Sequence, residues 1–231
     1  IEPTPFHLNA DLSSKYKADV YLKREDLQMV RSYKIRGAYN KIRTLSPEML
    51  TKGIVCASAG NHAQGVAFSC NKLKIMGSIF MPTTTPKQKI EQVRMFGREY
   101  IEIVLTGDTF DAANAAAIKY SNENGKTFIP PFDDPKVMEG QGTIGLEIME
   151  QTPVKLDYIF VPIGGGGLAS GLGSFIKHVS PETKVIGVEP LGAPCMKTAI
   201  DRGEIVDLDH IDKFVDGAAV KKAGELTYEV C

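Results

Sequence analysis

A chain of 231 residues is long enough to bury a core of its own, as one large domain or two small ones. Its 27 Lys and Arg against 28 Asp and Glu, with 43% hydrophobic and 24% charged residues, exclude a disordered or fibrous chain. That balance also gives no electrostatic reason to expect nucleic acid or an acidic membrane surface as partner. In chain order the patterning predicts a strand over Val20–Lys23, a helix carrying Ile35, Ala38, Tyr39 and Ile42, a strand over Ile54–Ala57, and a helix carrying Val66, Ala67, Cys70 and Leu73. Strand Ser78–Met81, helix Pro86–Phe96, strand Tyr100–Leu105, helix Phe110–Asn122 and strand Thr127–Ile129 follow. After the turn-rich joint Pro130–Pro135 come helix Val137–Met149, strand Tyr158–Ile163, helix Leu168–Val179 and strand Lys184–Glu189. Such alternation predicts an open α/β architecture with mostly parallel sheet, whose ligands bind at the carboxyl ends of strands.

No apolar run reaches the roughly 18 to 20 residues of a membrane helix, and no signal-peptide pattern opens the chain, so a soluble cytoplasmic protein is expected. Cys56, Cys70, Cys195 and Cys231 lie far apart without CxxC spacing, the usage of free thiols in a reducing compartment. The chain begins at Ile1 and stops inside the apparently helical stretch Ala223–Val230, which reads as a fragment.

Three turns carry chemistry. Gly164, Gly165, Gly166, Gly167 and Leu168 lie between a predicted strand and a predicted helix, where glycines let backbone N–H groups and a helix dipole approach a phosphate. Gly164, Gly166 and Ala169 also fit a dinucleotide fingerprint, with Glu189 near the place of a ribose-binding acid. A cup for one phosphate monoester and a ligand-free tight turn remain open beside it. Ser58, Ala59, Gly60, Asn61 and His62 form a second strand-to-helix turn, suited to a small anion such as a carboxylate, or simply to capping a helix through Asn61. In the third, Ser32 reads as a helix cap that sets Lys34 in the first turn beside Tyr33. The helix dipole and desolvation there would depress the lysine and make it a nucleophilic amine. A reactive lysine, a phosphate cup and a carboxylate loop together point to pyridoxal 5′-phosphate acting on an amino acid.

The blocks Tyr21–Gln28, Ser32–Ala38, Ser58–Gly65, Gly164–Leu168 and Asp216–Ala218 resemble, in order and across almost the whole chain, the fold-type II pyridoxal-phosphate enzymes, within them the threonine dehydratases. The resemblance implies two open, mostly parallel three-layer αβα domains with the cofactor between them. Residues 1–40 and 132–231 would form the large domain, C-terminally incomplete, and 41–131 the small one. It implies that Lys34 forms the Schiff base, that Asn61 bonds the cofactor 3′ oxygen and that Tyr33 packs beside its ring. The backbone of Gly164–Leu168 would hold the phosphate, and Ser58, Ala59, Gly60 and His62 the substrate carboxylate. The implied reaction is α,β-elimination of L-threonine to 2-oxobutanoate and ammonia, in isoleucine biosynthesis, by a homodimer or homotetramer. A catabolic L-serine/L-threonine dehydratase is the nearest alternative, and a non-catalytic cofactor- or nucleotide-binding protein the more distant one. Serine racemases of this fold carry a serine at the position of Ala59, so racemisation is disfavoured. Their divalent-metal ligands correspond to Glu189, Ala193 and Cys195, where a thiol replaces a hard oxygen donor, so no metal is expected.

Overall fold

The computed structural model describes residues 1–231. The chain opens with β1 (Phe6–Leu8), α1 (Ala10–Tyr16), β2 (Tyr21–Lys23), α2 (Lys34–Arg43) and α3 (Pro47–Lys52). Alternation follows through β3 (Ile54–Ala57), α4 (Asn61–Leu73), β4 (Gly77–Met81), α5 (Lys87–Gly97), β5 (Ile101–Leu105), α6 (Phe110–Glu123) and β6 (Thr127–Phe128). The last third holds α7 (Pro135–Gln151), β7 (Tyr158–Pro162), α8 (Gly167–Val179), β8 (Lys184–Val188), α9 (Cys195–Arg202) and α10 (Glu225–Val230). The mostly parallel α/β architecture is the one the patterning implies.

Strands in the order β5-β4-β3-β6 form an all-parallel sheet, and its inner strands β3 and β4 are buried at every residue. Burial on both faces is why these strands read as unbroken apolar runs rather than alternations. The period of two still decides where each side chain goes. Ile54, Cys56, Ile79 and Met81 pack with α2, α4 and α5, whereas Val55, Ala57 and Phe80 pack on the opposite face against Ala117 of α6. Each large side chain so buried contributes about 1.5–3 kcal/mol.

A second parallel pair, β7 with β8, has its own core. Val161 and Ile163 meet Ile144 and Ile148 of α7, Leu172 and Ile176 of α8, and Met196 of α9. Tyr158, Phe160, Ile186 and Val188 on the other face are exposed. Helix α2 packs against both α4 and α7, and α7 packs against α8, so α2 ties the two cores together.

Two expectations are corrected. The strand at Val20–Lys23 belongs to neither parallel sheet but pairs antiparallel with β1, which the patterning does not signal. Helices α1 and α3 are additions, started by the side chains of Asn9 and Ser46. Neither buries a residue, so apolar periodicity cannot report them.

Candidate active site

Lys34 is the first residue of α2, where the Ser32 hydroxyl oxygen accepts its N–H at 3.2 Å. The side chain runs inward. Its Nζ donates to the Pro131 carbonyl at 2.6 Å and lies 5.6 Å from the centre of the Tyr33 ring and 5.7 Å from that of Phe132. Burial lowers the amine from its ordinary value to about 8, so a substantial share is neutral close to physiological pH. The same burial raises the Tyr33 phenol to about 12, keeping it uncharged.

The Ser58–His62 turn follows β3 at its carboxyl end. The Ser58 hydroxyl oxygen accepts the Gly60 N–H at 3.1 Å, which shapes the turn before α4. The N–H groups of Asn61, His62 and Ala63 meet no protein acceptor, the arrangement of a helix start that receives an anion. Asn61 is exposed, its amide beside Gly217. His62 differs from the sequence expectation. Its imidazole is 4% exposed and its Nε2 lies 2.9 Å from the Ile129 carbonyl, so the ring faces into the protein and not the substrate side of the turn.

The glycine run follows β7, again at a strand's carboxyl end. Residues 165–169 are buried, yet no N–H from Gly164 to Ala169 meets a protein acceptor. Buried donors of this kind are normally paired, so a run of them at the start of α8 is suited to receive an anion. Gly166 has φ +97°, and a Cβ there would lie 2.8 Å from the Thr227 hydroxyl oxygen, so only glycine shapes this cup without strain. The Phe132 ring packs on the Gly165 backbone, and Ala218 packs against Gly164. Lys34 is thus joined to the glycine run through Phe132, and Asn61 through Gly217 and Ala218. The three turns, far apart in sequence, surround one site.

Behind α2 lies a buried ion network. Arg36 donates to Glu25 at 2.7 and 2.8 Å and to Glu147 at 2.5 and 2.8 Å, and Lys23 donates to Glu147 at 2.5 Å. Burial opposes the Arg36 charge, but the hydrogen bonds of Glu25 and Glu147 outweigh it and raise its pKa. Burial would likewise raise Glu147, and the bonds from Arg36 and Lys23 reverse that to a value below its ordinary one. Glu189 caps α9: both its carboxylate oxygens accept N–H groups of that helix, from Met196 at 2.9 Å and Lys197 at 2.8 Å. The Cys195 thiol donates to the Gly164 carbonyl at 3.3 Å. Phe132 and the Pro131 carbonyl are site components that the motif spacing does not reveal, whereas Gly217 falls in the Asp216–Ala218 block.

Burial, then the nearby Lys34 charge, pushes the His62 imidazole down to about 3, despite the hydrogen bond to Ile129. In the unfolded chain it would titrate near 6.5. Between these values the unfolded chain holds a proton that the folded one lacks, so stability falls as pH drops. The expected slope is roughly 1.4 kcal/mol per unit below about pH 6. Urea unfolding at pH 7, 6 and 5 measures it, and His62→Gln should flatten it.

These residues fit pyridoxal phosphate: a half-buried amine of lowered pKa, two flanking rings, an exposed amide and a buried cup of unpaired donors. The comparisons agree. Residues 1–231 match the family model described as pyridoxal-phosphate dependent enzyme. The L-threonine dehydratase biosynthetic IlvA of Halalkalibacterium halodurans is 58% identical over 228 residues, 99% of this chain and 55% of that protein. The Bacillus subtilis protein of the same name is 56% identical over 225 residues, covering 97% and 53%. The chain therefore spans about half the length of the curated relatives it matches. Among solved structures, the processed threonine deaminase isoform 2 of Solanum lycopersicum superposes with a TM-score of 0.96 at 47% identity, covering 100% of this chain and 66% of that one. Maize serine racemase superposes at 0.93 with 31% identity, covering 99% and 68%. The chain belongs to the family of pyridoxal-phosphate dependent enzymes.

Proposed function

We propose that this chain forms the core of an enzyme that eliminates water from L-threonine and releases 2-oxobutanoate and ammonia. The observation that carries the reading is the Lys34 amine, depressed to about 8, between Tyr33 and Phe132 and linked through Phe132 to a cup of unpaired buried N–H groups. The threonine dehydratases among its relatives support the substrate, and their description as biosynthetic supports a role in isoleucine biosynthesis. We also infer a cytoplasmic homodimer or homotetramer. Residues 1–40 and 132–231 would form one domain and 41–131 the other, a division supported by the separate cores around β3–β4 and β7–β8.

When bound, the cofactor supplies an electron sink for the pair left on the substrate Cα. The chain's own groups do the rest. Lys34 would hold the cofactor through its side-chain amine. The N–H groups at the head of α4, with the Ser58 hydroxyl, hold the substrate carboxylate and so fix which Cα bond faces the lysine. The Lys34 amine would remove the Cα proton as a general base, a task its lowered pKa suits near neutrality. The proton it gains is then at hand for the departing β-hydroxyl. Ala59 offers no hydroxyl on that turn to return a proton from the opposite face, which favours elimination over racemisation.

The test uses the intact protein with pyridoxal 5′-phosphate. Borohydride should fix the cofactor on Lys34, and L-threonine should yield 2-oxobutanoate at a higher kcat/KM than L-serine yields pyruvate. Preference for L-serine would move the reading to a catabolic dehydratase. No keto acid from either substrate would overturn it in favour of a binding protein.

A further inference from the structure

The Ile129 N–H continues the sheet by donating to the Val55 carbonyl at 2.8 Å, and several further ties of the 129–134 segment run to elements around the site. The Ile129 carbonyl accepts from His62 on α4, and the Pro131 carbonyl accepts from Lys34 on α2. Phe132 lies on the Gly165 backbone. Asp133 accepts the N–H groups of Glu225 and Thr227 in α10 at 3.0 and 3.1 Å, and Asp134 caps α7 and pairs with Lys41 of α2 at 2.6 Å. What the proline pattern presents as a joint is a beam on which the lysine rests.

We propose that His62 is a positioning residue: its imidazole, through Ile129, holds the 129–132 segment whose Pro131 carbonyl seats the Lys34 amine. This rests on the reading of Lys34 as the cofactor-bearing lysine. A carbonyl can only accept, so Nε2 must carry the proton, and the ring acts as a neutral donor. The ring's depressed basicity keeps it in that form across the working pH range. The fixed geometry supports the role from a second side. Gly65, one turn along α4, packs so closely that a Cβ would lie 3.1 Å from the carbonyl carbon of Lys34. Helix α4 therefore fixes the backbone of Lys34 through Gly65 and the acceptor of its amine through His62. Its outward N–H groups remain free for the anion. Ile129 is fully buried in the core shared by β3 and β4, so the anchor is rigid.

The experiment compares His62→Leu, His62→Asn and His62→Gln in the intact protein. Capture of pyridoxal 5′-phosphate by the cofactor-free form is followed by visible absorbance and by borohydride labelling of the Lys34 peptide, and kcat and KM for L-threonine are measured alongside. Leucine has no donor and asparagine is too short to present one at the Nε2 position, so both should slow capture and lower kcat by about tenfold to a hundredfold, the scale of a lost alignment. KM should stay within about twofold, because the carboxylate turn is untouched. Glutamine places an N–H near that position and should restore both quantities to within about threefold of the parent. Should His62→Leu fail to fold, the asparagine and glutamine pair still decides the matter. Capture and kcat at parental levels in His62→Asn would overturn the proposal. So would a loss in glutamine equal to that in asparagine, which assigns His62 to packing alone, or a rise in KM at constant kcat, which makes it a substrate contact. If the parent protein itself fails to label at Lys34, the reading of the lysine fails, and the proposal with it.

Discussion

Lys34→Ala is expected to lower 2-oxobutanoate release from L-threonine by at least about a thousandfold in the intact protein, because in the proposed mechanism one amine would both attach the cofactor and move the Cα proton. Four other lysines are engaged elsewhere. Lys41 is engaged with Asp134, Lys23 with Glu147, Lys89 with Asp216 and Lys126 with the hydroxyls of Ser78 and Tyr120. Lys34→Arg should fail as badly. Its guanidinium keeps the positive charge and can reach a carbonyl, but it stays protonated at every working pH and offers no nucleophilic pair. The two variants separate the charge of the residue from its chemistry. Both should remain folded, since the side chain contributes one hydrogen bond to the structure, and urea unfolding of each should lie within about 1.5 kcal/mol of the parent. For the parent, the rate of cofactor capture should climb about tenfold per pH unit below 8 and level off above it, following the neutral amine. Either variant retaining a tenth of the parental rate would end the assignment of Lys34.

Arg36→Leu should cost about 3 kcal/mol of stability, because it leaves two half-buried carboxylates without their shared cation. In the folded protein Arg36, Lys23, Glu25 and Glu147 balance as two positive and two negative charges. Arg36 is 4% exposed, and its guanidinium holds both carboxylates through paired bonds while also donating to the Thr143 hydroxyl at 3.1 Å. Removing one cation therefore strands charge rather than merely losing contacts. Glu147 remains with Lys23 and the Thr4 N–H, and Glu25 with only the hydroxyl of Thr4. Arg36→Lys should recover less than half of the loss, since an ammonium cannot form the two-sided fork. Urea unfolding of the three proteins at pH 7 measures this. A cost below about 1 kcal/mol for Arg36→Leu would mean that the network has no more weight than a surface ion pair.

The sequence makes the sheet-forming elements and the three turns readable, for physical reasons. Fully buried strands such as Ile54–Ala57 leave an apolar run that few other structures produce, and a phosphate cup needs glycine where backbone must reach a ligand. Lys34 is legible because a lysine in the first turn of a helix is electrostatically out of place. What escapes is whatever depends on contact between distant segments. Nothing in the local pattern marks Phe132 as a wall of the site, since its importance arises from Gly165 and Lys34. His62 carries the opposite lesson. Its place in the turn marks it for the substrate, but burial turns its ring towards Ile129, and only its main chain remains at the turn. Glu189 is similar, for an acid at a strand end serves a ribose or a helix cap equally well until the start of α9 comes into view. The small helices α1 and α3 are missed because they lie on the surface and bury nothing.

The hydrogen bonds of the 129–134 segment close long stretches of chain: 67 residues separate His62 from Ile129, 97 separate Lys34 from Pro131, and 92 separate Asp133 from Glu225. Contacts of such span form late, after the local helices and strands have condensed. Until they form, Lys34 is an ordinary, protonated surface amine. Its reactivity is thus a property of the finished fold and is absent while the polypeptide emerges from the ribosome. On the proposed role of Lys34, cofactor attachment would report that folding has reached its end.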